Sequence, residues 1–428
     1  MGKLLNIFKS NKTIQNFIIY GIGQGINLIS PLLITPYLIY VCGIEKLGII
    51  AIGQSLAYIL NVIIDYSSNI VGVKEIAINR FDNKILEKSF TTIYISKLIL
   101  FSFVCLLLFC LVFFIPFLYK ESVLIFYSVT IILAQLINPT WFFQGIENFK
   151  WITIINILSK VIYVVAVLFL ITQKQDYIYA NLWLGLGAIL ANLIGFLWII
   201  KKYNFSFKKI CFKTVKLILT RDFSFCLSQL FFAIRNYSSV LIVGFFAGDY
   251  IAGQFKVIEQ IITLLRTYVQ MFFRFSYSYI CFAIDQNLQK GIQLWKKFNG
   301  LNLVVLCIAL LCIYFSSEEI LYFFRVDETL IKLLESYLHI ALFVPFLIGL
   351  TSSLEQLIFS LNANKPYIRL TIASTSFNIM SLSLTMMYFT LHEVFYILIF
   401  TEACLVISYL ILLRPYFLNS TSIIIKDK

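Results

Sequence analysis

The chain has 428 residues, of which 60% are hydrophobic and 17% aromatic, and its 34 Lys and Arg against 21 Asp and Glu give a net charge of +13. That apolar content exceeds what the core of a water-soluble domain uses, so an ordinary globular enzyme is excluded. Runs of roughly 18–25 apolar residues recur from end to end with short polar breaks, the pattern of a multi-span helical membrane protein.

In chain order these runs predict an all-α integral membrane protein with about twelve spans, at 13–41, 46–68, 90–118, 121–146, 151–172, 177–200, 222–247, 253–283, 293–316, 331–361, 366–390 and 393–413. Soft boundaries leave eleven or thirteen open. The opening MGKLLNIFKSNK is basic, but the apolar run behind it is too long for a signal-peptide core and lacks a small-residue cleavage site, so the chain is expected to start with its first span. The nine cysteines show no paired spacing, and the two histidines, His339 and His392, lie far apart, so no metal or cofactor is expected.

The placement of the basic residues argues against nucleic acid and for topology. Under the twelve-span reading, alternate loops place 23 Lys and Arg on one side and five, Lys46, Lys120, Lys174, Arg325 and Lys332, on the other. The positive-inside rule then puts both termini in the cytoplasm, with the basic loops drawn to anionic membrane lipids. The most basic loop, from Lys201 to Arg221, divides the spans six and six. The expected organisation is an N-lobe over 1–200, a cytoplasmic linker over 201–218 and a C-lobe with a cytoplasmic tail over 219–428.

The halves resemble each other. GIEKLG between spans one and two is framed by Gly43 and Gly48, and GDYIAG between spans seven and eight by Gly248 and Gly253. The same offset carries Gln54 onto Glu259, Asn61 onto Arg266, Asp65 onto Gln270 and Asn69 onto Arg274. After spans four and ten, the segment from Gly145 to Lys150 pairs with that from Ser360 to Lys365. A parallel six-plus-six repeat is predicted.

Span eight carries charges that lipid does not tolerate. At roughly 100° per residue, Lys256, Glu259, Thr263, Arg266, Gln270 and Arg274 fall on one stripe, with an apolar face opposite. A charge at the bilayer centre costs about 2.5–3.5 kcal/mol on insertion scales, so the stripe must face protein or water. Gln54, Tyr58, Asn61, Asp65 and Asn69 repeat the geometry in span two, and Arg235, Lys97 and Lys160 are further candidates for a cavity wall. Some have a plainer alternative: Lys256 and Glu259 can neutralise each other three residues apart, Arg274 can snorkel, and Asp65 can be a helix-end residue. Arg266 has no acidic residue three or four positions away, which leaves it a partner on another helix or a bound anion. Glu355 and Glu402, inside later spans, can carry a proton or hold a cation.

The segment from Gly25 to Arg80 resembles the opening of the bacterial polysaccharide flippases that move O-antigen repeat units, the Wzx type. PTWFFQGIENFK, with Trp141, Gln144, Gly145 and Glu147, is similar to that family's pattern after span four, and VGFFAGDYIAGQFKVIEQI and the KPY at Lys365 to Tyr367 extend the likeness more faintly. The resemblance implies the fold of the multidrug/oligosaccharidyl-lipid/polysaccharide exporter superfamily, two six-helix lobes around a central cavity. It implies a transporter, not an enzyme, moving undecaprenyl-diphosphate-linked oligosaccharide from the cytoplasmic to the periplasmic face of the inner membrane by alternating access. No cofactor is implied beyond a coupling ion, H+ or Na+, and the partners implied are the substrate lipid and the polymerase and chain-length machinery of the same lipopolysaccharide pathway. Cationic residues suit a diphosphate, arginine best because of its fork of donors.

Two rivals remain at this stage. A drug or cation exporter of the same superfamily would prefer an acidic cavity. A membrane polysaccharide polymerase would present catalytic groups on sizeable loops, whereas the longest outward loop, SSEEILYFFRVDETL, reads as a solvated acidic rim. Rocking of residues 1–200 against 219–413 is expected, with Pro31, Pro36, Gly43 and Gly248 allowing bends.

Overall fold

The computed structural model describes residues 11–66, 68–206, 212–361 and 363–424. The basic N-terminal stretch at 1–10, the middle of the basic linker at 207–211, Asn362 and the end of the tail lie outside the described residues, as does the side chain of Lys365. Every regular element among the described residues is a helix.

The first half runs through α1 (Asn11–Cys42), α2 (Ile44–Asp65), a π-helical turn (Ser68–Gly72), α3 (Val73–Ile78), α4 (Asn83–Phe114), α5 (Pro116–Tyr119), α6 (Ser122–Ile137), α7 (Thr140–Gly145), α8 (Phe149–Leu170), a 3-10 turn (Lys174–Tyr179), α9 (Ala180–Tyr203) and α10 (Phe212–Arg221). Then follow α11 (Phe223–Ala247), α12 (Asp249–Gln286), α13 (Leu288–Phe315), α14 (Ser317–Phe323), α15 (Glu328–Ala341), α16 (Phe343–Ser360), α17 (Asn364–Tyr388) and α18 (Leu391–Ile424). The chain divides into two compact units, Met1–Leu241 and Ile242–Lys428.

Among the described residues, eleven helical segments are long and apolar enough to cross a membrane, and they coincide with eleven of the twelve expected spans. The remaining one, expected at 253–283, is the single continuous helix α12, 38 residues long. Its polar stripe dilutes the apolarity that marks the others. Proline sets several breaks: α6 stops before Pro139, and Pro345 sits in the first turn of α16, where a missing N–H costs nothing. Asp82 caps α4 by accepting from the backbone N–H groups of Lys84 and Ile85 at 3.0 and 3.2 Å.

Helix faces sort by solvent as a bilayer protein requires. On α4, Leu106, Phe109 and Phe113 are exposed on one side, and on α13 Leu301, Val304, Ile308, Leu311 and Phe315 form a similar outward stripe, the surface offered to lipid. Within the first unit Phe90, Trp141, Phe142, Phe143, Ile155, Ile199 and Phe205 bury one another, so the WFF of the PTWFFQG motif is core. In the second unit the core runs between α16 and α18 through Leu357, Ile358, Leu405, Tyr409 and Leu413. There the fully buried Gln356 donates to the Phe273 carbonyl at 3.0 Å and to Ser276 at 2.8 Å, and accepts from Asn299 at 2.9 Å.

The repeated hairpins share their backbone. Gly43 (φ 86°, ψ 164°) precedes α2 and Gly248 (φ 84°, ψ 175°) precedes α12. This region is essentially closed to residues with a Cβ and costs them about 1–3 kcal/mol. Gly43→Ala and Gly248→Ala should each lower stability by that amount, read by thermal unfolding in detergent, although a Cβ at either position meets no atom within 4 Å. An unchanged transition would show that these turns relax freely.

Candidate functional site

Six helices of the first unit, with the turn before α7, line a polar cavity of ≈ 320 Å³. α1 contributes Asn27, α2 Tyr58 and Asn61, α6 Gln135, the turn before α7 Asn138, and α7 itself Thr140 and Gln144. α8 contributes Asn156, Ser159 and Lys160, at positions that share one helix face, and α9 contributes Asn192. Ile131, Ile152, Ile155 and Leu184 supply apolar surface between them.

The helices reach this arrangement because small residues let them approach closely. Gly53 on α2 and Gly185 and Gly187 on α9 sit where those helices meet their neighbours, and a Cβ at Gly187 would lie 2.7 Å from the Ser159 carbonyl oxygen. Asn181, fully buried, ties three helices together by donating to the Ile50 carbonyl at 3.2 Å and to Ser128 at 2.9 Å.

Part of the wall satisfies itself. Asn138 donates to Gln135 at 3.1 Å and accepts from the backbone N–H and hydroxyl of Thr140 at 3.0 and 2.7 Å, while Asn192 donates to the Ala134 carbonyl at 2.8 Å. Two groups are different. The carboxamide oxygen of Asn61 is buried and accepts no hydrogen bond among the described residues. Lys160 lines the same cavity, and no ion pair or hydrogen bond holds its ammonium among the described residues. Among those residues no carboxylate lines the space.

Of the residues singled out from sequence, the cavity brings together Tyr58, Asn61 and Lys160. Asp65 lies one turn beyond Asn61 and pairs with Lys97 at 3.2 Å, also accepting from Ser68 at 2.5 Å and from Asn69. Gln54 and Arg235 are half-buried in the same unit and do not line the cavity. In the second unit Lys256 and Glu259 form an ion pair at 2.7 Å, the neutralising alternative of the sequence reading. Arg266 and Gln270 are half-buried along α12, and Arg274 is exposed. The amides Asn27, Gln135, Asn138, Asn156 and Asn192 were not anticipated. The available signal was the run Asn156, Ser159, Lys160 and Tyr163 on one face of an otherwise apolar span.

A family of proteins described as "Polysaccharide biosynthesis protein" matches residues 13–277. The chain belongs to that family. It is 25% identical over 283 residues to a protein of Escherichia coli (strain K12) named "Putative O-antigen transporter", a match covering 66% of this chain and 68% of the relative. A relative of the same name from Shigella dysenteriae is 24% identical over 253 residues, covering 58% of this chain and 62% of the relative. Among solved structures, the inward-facing conformation of a multidrug resistance MATE family transporter of the MOP superfamily superposes with a TM-score of 0.62 over 95% of this chain and 96% of that one, at 14% identity. The fold of this family member is therefore the two-lobed, all-helical one of MOP-superfamily transporters, as the sequence resemblance implied, and the protein is multi-pass.

Proposed function

We propose that this member of the polysaccharide biosynthesis family transports a lipid-linked oligosaccharide, and that the cargo is an O-antigen-like repeat unit on undecaprenyl diphosphate, flipped from the cytoplasmic to the periplasmic face of the bacterial inner membrane by alternating access. The observation that carries this reading is the chemistry of the cavity wall: among the described residues, seven carboxamides, from Asn27, Asn61, Gln135, Asn138, Gln144, Asn156 and Asn192, one lysine and no carboxylate. A sugar hydroxyl both donates and accepts, and a carboxamide does the same, so the wall complements a hydroxyl-rich headgroup. A lipophilic cation would find no counter-charge there, which disfavours the drug-exporter reading. The named relatives support the same cargo, and with the basic loops facing the cytoplasm both termini lie on that side. The polymerase and chain-length machinery of the pathway are the expected partners, and H+ or Na+ the expected coupling ion.

The test is translocation of lipid-diphosphate oligosaccharide in proteoliposomes, comparing the native protein with Asn61→Leu. Removing a buried acceptor that no described residue satisfies should leave the thermal transition unchanged or raised, while the hydrogen bond lost to substrate, about 0.5–1.5 kcal/mol, should slow flipping up to roughly tenfold. Flipping by the native protein with an unaffected variant would move the sugar site elsewhere in the molecule. No flipping across a panel of such lipids, with efflux of organic cations instead, would overturn the reading.

A further inference from the structure

Lys160 stands near the middle of α8, and its ammonium faces a space walled by neutral amides. A cation withdrawn from water without a counter-charge is costly, and more so within a membrane span. The carboxylate one turn beyond Asn61 on α2, that of Asp65, does not line the space and is already engaged by Lys97, Ser68 and Asn69. The cavity therefore offers one fixed positive charge and, at Asn61, one buried acceptor that no described residue satisfies.

We infer that Lys160 and Asn61 form a subsite for an acidic sugar, a pyranose carrying a single negative charge such as a carboxylate, in the transported headgroup. The inference rests on the flippase reading and deepens it by naming a substrate feature. Charge matching decides between the two anions such a headgroup can carry. A diphosphate brings at least two negative charges and is best met by several cations or a bidentate arginine, neither of which lines this space among the described residues. A lone carboxylate is neutralised by one ammonium. The ring hydroxyls of the pyranose that carries it would donate to the Asn61 oxygen and exchange hydrogen bonds with Gln135, Asn156 and Asn192. The size agrees as well, since ≈ 320 Å³ lies at the small end of ligand cavities and suits a sugar unit rather than a whole repeat.

The experiment measures binding of lipid-free probes to the purified full-length protein in nanodiscs: a disaccharide containing glucuronate, the matched disaccharide containing glucose, and inorganic pyrophosphate. The native protein should bind the glucuronate probe at least tenfold more tightly than the glucose probe. Lys160→Gln should erase that preference while keeping the weak neutral-sugar affinity, and Lys160→Arg should restore part of it. Thermal unfolding of Lys160→Gln should be unchanged or raised, because no partner among the described residues is lost with the lysine. Equal affinity of the native protein for both sugars, or no binding of either, overturns the inference. A Lys160-dependent affinity for pyrophosphate that exceeds that for glucuronate also overturns it, assigning the lysine to the lipid diphosphate. Proteoliposome flipping run in parallel separates this failure from that of the parent reading: flipping that persists without acidic-sugar preference sinks the subsite alone.

Discussion

Asp65→Ala should be among the most destabilising single substitutions in the first unit, costing about 3–5 kcal/mol, because it leaves a buried ammonium without its counter-charge. Lys97 is 2% exposed at its side chain and Asp65 16%, and their contact is 3.2 Å. The two partners are not equivalent. Without Lys97, the Asp65 carboxylate keeps the Ser68 hydroxyl and the Asn69 amide as donors and remains partly open. Without Asp65, Lys97 keeps no ion pair among the described residues and is nearly sealed. Lys97→Met should therefore cost less than Asp65→Ala, and the double variant Asp65→Asn with Lys97→Met should recover most of the loss, since exchanging a buried pair for neutral groups of similar volume is often tolerated. Thermal unfolding of the native protein, of Asp65→Asn, of Lys97→Met and of their double variant in detergent gives the coupling between the two sites. A double variant as unstable as Asp65→Ala alone would show that the pair is held by more than charge. The flipping assay adds a second reading: if the pair is structural, the double variant still transports.

That pair also marks what the sequence could and could not tell. Both residues stood out as charges in apolar spans, and insertion cost alone said that they had to face protein or water, Asp65 having a helix end as its plainer alternative. Nothing in the chain said that they were each other's partner across 32 positions, because contact between two helices depends on their relative rotation and depth. Lys256 and Glu259 were different: three residues apart on one helix, their pairing is local geometry and was legible as one of two alternatives. The spans were legible for the same local reason, since length and apolarity are properties of each segment. The matched GIEKLG and GDYIAG hairpins paired Gly43 with Gly248, and the two share the same positive-φ backbone. The cavity was only half legible. Charges are rare in apolar helices and draw the eye, whereas Gln135, Asn156 and Asn192 each look like an ordinary polar residue until three helices bring them to one space. The Trp141 and Gly145 of the family motif prove to be packing positions, Trp141 in the aromatic core and Gly145 against Ile76. Of that motif, Gln144 reaches the cavity with Thr140.

Gly185→Val should separate α6 from α9 and cost about 1–3 kcal/mol or more, the scale of overpacking a tight contact. A Cβ at Gly185 would overlap Thr130 at its hydroxyl, its Cβ and its backbone carbonyl carbon. A flexible side chain could swing away; backbone cannot, so α9 itself must shift. Thr130 also donates to the Asn181 carbonyl at 3.3 Å, and Asn181 holds α9 to Ser128 on α6 and Ile50 on α2, so displacement breaks a buried network as well as a van der Waals contact. Leu184, Ala188 and Asn192 on the same helix line the cavity, so the shift should reach the site. The expected result is a lowered unfolding temperature together with flipping reduced at least tenfold. Thr130→Ala in the same chain should relieve only the side-chain part of the overlap and restore little. Gly300→Ala on α13 is the control, because a Cβ there meets nothing within 4 Å and a helix-interior alanine gains roughly 0.5–1 kcal/mol over glycine. A stable, fully active Gly185→Val would mean that α6 and α9 pack more loosely than this contact requires, and the cavity between them would no longer be a fixed site.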